Sequence, residues 1–209
     1  ILLHCVNLIL HKSPLLSIEQ DGGYAEYFQY LKFFGITLLL AYLLLVTKKF
    51  NYISWILVFS YFLYDDAFSF HENAGKNVAG ALKFQSHFNL RPGDIGELVV
   101  TALVGSLLLI ILAFSYLKSS VSFKKISIDL LLFVIALSFF AVAIDMAHVA
   151  IDLGKAISLG LGTIEDGGEM IVASLCFSYA YYLALRKGEP EWFLYELILS
   201  YCNKRRLKS

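Results

Sequence analysis

The sequence predicts an all-α polytopic membrane protein, and three observations carry that reading. The chain is 58% hydrophobic by the broad count, its mean hydropathy is +0.69, and it has only three prolines in 209 residues. A helix needs roughly 20 mostly apolar residues to cross a hydrocarbon core about 30 Å thick. Five windows approach that length, at 31–47, 53–70, 97–117, 126–150 and 165–185. No internal repeat, low-complexity tract or domain-length linker divides the chain, so 1–209 reads as a single integral membrane domain.

In chain order, Ile1–Leu10 is apolar but too short to span, and lacks the basic start and small-residue cleavage site of a signal peptide. The first window is apolar apart from Lys32 near its start. The second ends in the stretch YDDAFSFHENAG at 64–75, which places Asp65 and Asp66 inside or at the edge of a span. Residues 73–94 form an outer loop with room for a short surface helix. The third and fourth windows are long and apolar, and the fifth opens on Glu165, Asp166 and Glu169. Residues 191–201 are expected to form an amphipathic helix on the inner face, with Trp192, Phe193, Tyr195, Leu197 and Ile198 toward lipid.

Orientation is read from the placement of Lys and Arg. Lys48, Lys49, Lys118, Lys124, Lys125 and the six basic residues after 185 share one side, and Lys12, Lys32, Lys76, Lys83, Arg91 and Lys155 the other. The richer side is read as cytoplasmic, with the N-terminus outside, in a bacterial inner (plasma) membrane. With 17 basic and 17 acidic residues there is no global field, and no basic stripe interleaved with aromatics suggests nucleic acid. Cys5, Cys176 and Cys202 fall at the outer side, mid-span and inner side, so no two are placed to form a disulfide.

The acids repeat a single depth. Counting from the cytoplasmic end of each span at about 1.5 Å per residue, Asp65 and Asp66 lie about 20 Å up, Glu169 about 25 Å and Asp145 about 27 Å, with His71, Glu72, Glu97, His148 and Glu165 near 30 Å. Asp129 alone lies near an inner end, where loop hydration accounts for it. Helical phase sharpens the pattern: Asp65 and Glu72 share a face, as do Asp145, His148 and Asp152, and as do Glu165 or Asp166 with Glu169. Polar stripes on membrane helices face the bundle interior or a water-filled cavity, so these stripes are expected to meet.

Helix caps and the macrodipole are a competing account for Glu97, Glu165 and Asp166, at the N-termini of outward-starting spans, with Asp94 and Glu97 spaced as a capping box. The same account fails for Asp65, Asp66, Glu72, Asp145 and Asp152, which sit at C-termini, the end that favours cations. No Lys or Arg falls within the band. Its neutralising charge is then expected to be protons or a metal ion.

The stretch from Asp65 to Glu72, with Glu165-Asp166-Gly-Gly-Glu169 in the last span, resembles a group of bacterial multipass membrane proteins with no assigned activity. In these an acidic pair followed by His-Glu ends one span, and a Glu-Glu-x-x-Glu-like motif begins another. Here Asp166 stands in place of the second Glu. A weaker likeness is to the ceramidase and progestin-receptor-like membrane hydrolases, which have seven spans and hold zinc with three His and an Asp. This chain has five windows, two histidines in the band and no terminal His-x-x-x-His.

Carboxylates with one or two imidazoles suit Zn, Fe or Mn, and Asp145-x-x-His148 echoes half of a di-metal four-helix pattern. The metal-ligand candidates are Asp65, Asp66, His71, Glu72, Glu97, Asp145, His148, Glu165 and Glu169. A divalent metal there would serve a hydrolase or oxidase acting on a lipid-like, membrane-associated substrate. The alternatives are a proton- or cation-coupled transport protein and an accessory subunit docking into a larger membrane complex.

Overall fold

A computed structural model describes residues 22–87, 90–150, 154–198 and 200, with backbone alone at 148–150 and 154–159. Cys5, Cys202, Asp152 and the side chain of His148 lie outside what is described. Among the described residues all regular structure is helical, save an isolated bridge between His87 and Leu90. In order the helices are α1 (Tyr24–Thr47), α2 (Tyr52–Phe68), α3 (Phe70–Leu82), α4 (Pro92–Leu117), α5 (Val121–Ser138), a π-helical segment (Phe139–Ile144), α6 (Asp145–Ala150) and α7 (Gly154–Leu185). Residues 194–198 add a last helical stretch.

Four stretches are long and apolar enough to cross a membrane: Tyr24–Thr47, Pro92–Leu117, Val121–Ala147 and Gly160–Leu185. The expected second span differs. Its helix stops at Phe68 after 17 residues, because Ser69 adopts a left-handed conformation (φ 44°) and the chain restarts as α3. What was expected to be mostly loop at 73–94 therefore begins as helix, and α3 lies along the start of α4. Their contact is backbone to backbone: a Cβ built on Gly75 would sit 2.5 Å from the Glu97 amide nitrogen, and one on Gly96 would collide with the Gly75 carbonyl oxygen. Only glycine allows this approach.

The core forms where α1, α2, α5 and α7 meet. Ile36, Leu40 and Leu43 of α1 recur at helical spacing, as do Ile126, Leu130, Phe133 and Leu137 of α5, and all are buried. On α7 the buried positions include Ala173, Cys176 and Ala180, small enough to let neighbouring helices close in. Trp55 of α2 reaches across to α5, donating from Nε1 to Ser127 Oγ at 3.0 Å. Leu103, Leu107, Ile110 and Phe114 of α4 keep the same spacing but are exposed, as expected of a face turned to lipid.

The far end of the bundle corrects two sequence expectations. Asp129 is fully buried rather than hydrated by a loop; it accepts hydrogen bonds from Tyr179 Oη at 2.6 Å and from the backbone amides of Leu194 and Tyr195 at 2.8 Å each. The carboxylate thus caps the C-terminal helical stretch and ties it to α5 and α7. Phe193 accordingly packs on the core beneath Lys125 instead of facing lipid, whereas Trp192 stays exposed while it stacks on Tyr182 at 4.8 Å. Leu197 and Ile198 remain exposed, as expected.

Candidate functional site

The break at Ser69 reorganises the first acidic motif. Asp65 in the last turn of α2 reaches over the break, its Oδ1 accepting from the His71 backbone amide and its Oδ2 facing His71 Nδ1, both at 2.9 Å. It therefore caps the N-terminus of α3, and Glu72 lies in the first turn of that helix, where a carboxylate is favoured. The reading of these two acids as anions at the wrong end of a helix is thereby overturned. The Asp65 hydrogen bond also holds the His71 imidazole above its ordinary pKa, against the opposing effect of burial. Replacing Asp65 with alanine is expected to cost about 1 kcal/mol of stability. Amide exchange across 70–74 reports it, and unchanged protection there would show that the cap is idle.

Two further capping expectations change. Helix α4 starts at Pro92, so Asp94 is not its first cap but its third residue; its carboxylate accepts from the Arg91 backbone amide at 2.8 Å and pairs with the Arg91 guanidinium at 2.7 Å. Glu97 lies a turn further in and plays no capping part. Helix α7 begins at Gly154, so Glu165, Asp166 and Glu169 are about three turns inside it and not at its N-terminus. Caps account for none of the three.

What the acids share is a cavity of about 680 Å³ at one end of the bundle. Asp65 and Asp66 from α2, His71 and Glu72 from α3, Glu97 from α4, Asp145 from α6, and Glu165 and Glu169 from α7 all line it. The π-helical segment supplies Ala141 and Val142 to the wall and delivers Asp145 from its end. A π turn carries an extra residue, and so rotates the succeeding side chains relative to a regular helix. Phe140 of this segment packs where a Cβ on Gly168 would stand, which seats the segment directly on the acidic part of α7.

Partners divide the carboxylates. Asp65 is held by His71, Asp94 by Arg91, and Glu72 by Lys76 at 3.1 Å. Asp145, Glu165 and Asp166 also make interactions. Asp66, Glu97 and Glu169, from three different helices, make no side-chain hydrogen bond or ion pair among the described residues. Only the backbone carbonyl of Asp66 is engaged, by Tyr30 Oη at 3.0 Å.

The expectation that no Lys or Arg falls within the band does not hold. Lys76 and Arg91 line the cavity. Lys32, counted from the sequence as an outer-side base, is buried in α1, 5% exposed, and donates to Gln29 Oε1 at 3.1 Å and to the Met170 carbonyl at 3.0 Å, next to Glu169. Sequence reasoning passed over it; a lysine eight residues into an apolar helix was the available signal.

Metal ions draw three or more donors to within about 2.0–2.6 Å of one point. Among the described residues no three His, Cys, Asp or Glu side chains gather in that way. The acids are instead distributed around a space wide enough for a small molecule.

No curated protein and no solved structure matches the chain. Residues 48–183, from the turn before α2 to the end of α7, match the family model of a domain of unknown function, DUF8692, and the chain belongs to that family.

Proposed function

We propose that the protein is a five-span protein of the bacterial inner membrane that binds a cation in the acidic cavity, reached from the extracytoplasmic face. The N-terminus outside and the C-terminus inside accord with the Lys and Arg distribution, and α2 serves as the second span. The observation that carries the reading is the set of carboxylates without partners, Asp66, Glu97 and Glu169, which three helices bring to one cavity of about 680 Å³. An ionised carboxylate away from bulk water costs several kcal/mol unless a positive charge meets it. A cation bound in the cavity offsets part of that cost.

Two features favour binding of a ligand over a fixed metal cofactor. The donors stand around the cavity rather than converging, and its volume lies within the range of small-molecule sites, about 300–1,000 Å³. The resemblance to multipass bacterial proteins through the Asp65–Glu72 and Glu165–Glu169 stretches supports the membrane assignment.

Isothermal titration of the purified protein with Mg²⁺, Mn²⁺, Ca²⁺ and ammonium ions tests the reading. Glu169→Gln removes one charge at nearly constant volume and is expected to weaken the preferred cation about tenfold or more, as truncating one side of a desolvated charge pair does. Absence of saturable heat for every cation, in protein of native melting temperature, would overturn it. Elemental analysis showing a stoichiometric, non-exchanging Zn, Fe or Mn would replace it with a metal centre.

A further inference from the structure

The cavity has a second wall whose chemistry narrows the kind of cation. Phe33 of α1 and Tyr61 and Phe62 of α2 line it together with the acids. Their rings lie side by side, Phe33 and Phe62 with centroids 5.6 Å apart at 41° and Tyr61 and Phe62 6.3 Å apart at 50°. The Tyr61 hydroxyl is buried in the same wall, close to the Asp65 carboxylate.

Size points the same way. A metal ion carrying six waters occupies roughly 180 Å³ at about 30 Å³ per water, a small part of a space of about 680 Å³. An aromatic face attracts cations through its quadrupole, and does so best when the charge is spread over a weakly hydrated group. A small, strongly hydrated ion gains little from three rings.

We infer that the ligand is an organic ammonium ion, its nitrogen directed to Asp66 and Glu169 and its carbon body laid against Phe33, Tyr61 and Phe62. This rests on the cation reading above and specifies it. Soluble amines and the ammonium of a lipid headgroup share the chemistry, and the test separates them.

The protein is reconstituted in nanodiscs of phosphatidylglycerol alone and titrated with phenethylammonium and, separately, with Mn²⁺. Saturable binding of phenethylammonium is expected, weakened about tenfold or more by Glu169→Gln and by Asp66→Asn, and about threefold or more by Phe62→Ala, which leaves every charge in place. Competition by phosphatidylethanolamine in the nanodisc assigns the ammonium to a lipid headgroup, and its absence assigns it to a soluble amine. Circular dichroism and elution volume establish that each variant is folded. Mn²⁺ binding without phenethylammonium binding overturns the organic ligand and leaves the cation reading in place. Failure of both in folded protein overturns both readings.

Discussion

Asp129→Ala is expected to release the C-terminal stretch from the bundle and to lower the free energy of unfolding by about 3 kcal/mol or more. Three hydrogen bonds end on this one buried carboxylate, from Tyr179 Oη and from the amides of Leu194 and Tyr195. Hydrogen bonds to charged groups contribute about 1.5–3 kcal/mol each, and a buried donor left without its acceptor costs a further desolvation penalty. The loss extends along the segment, because the stacking of Trp192 on Tyr182 and the ion pair of Lys125 with Glu196 at 2.8 Å depend on the same placement. Asp129→Asn keeps one acceptor oxygen and is expected to lose about half as much. Denaturant unfolding in detergent measures the energy, and limited proteolysis after 190 measures the release. An alanine variant that unfolds like the parent, with 190–200 still protected, would show that Asp129 does not hold the segment.

Gly96→Val is expected to separate α3 from α4 and to draw Glu97 out of the cavity. The space a side chain needs at Gly96 is filled by the Gly75 carbonyl group and the Ala79 Cβ, and backbone cannot swing aside as a flexible side chain can. Overpacking of this kind costs about 1–3 kcal/mol. The displacement matters beyond that cost, because Glu97 is the residue next to the contact. Gly80 and Gly105 are the controls: an added Cβ meets nothing within 4 Å at either, and alanine there is expected to stabilise its helix by up to about 1 kcal/mol. Disulfide trapping between cysteines placed on α3 and α4 reads the separation. Equal trapping in Gly96→Val and parent would sink the idea.

Hydropathy made four membrane-length helices legible, because a run of apolar residues has the same meaning wherever it stands. Helical phase paired Glu165 with Glu169, and both line the cavity with Asp66, Glu97 and Asp145; its pairing of Asp65 with Glu72 fails, because the helix breaks between them. The break at Ser69 was not legible: Phe68-Ser69-Phe70 has neither Gly nor Pro, and the turn is supported by Asp65 and His71, six residues apart. Missing that break made Asp65 and Glu72 look misplaced when the dipole of α3 favours both. The start of α7 was hidden in the opposite way. Residues 154–164 contain three glycines and read as loop, yet they continue the helix and carry Glu165 away from its end. Asp129 was misjudged because its depth was counted within its own span, while its partners come from a segment 65 residues later that folds back over it.

The shortness of α2 bears on the membrane as well as on the protein. At about 1.5 Å per residue, its 17 residues extend about 25 Å, some 5 Å less than an average hydrocarbon core. In the five-span arrangement proposed above, lipids beside α2 are drawn thinner to avoid exposing Ser69 and the head of α3 to acyl chains, the usual response to hydrophobic mismatch. On that arrangement the thinning falls at the end of α2 that carries Asp66, a residue lining the cavity, and bilayer thickness becomes a variable that tunes access to the site.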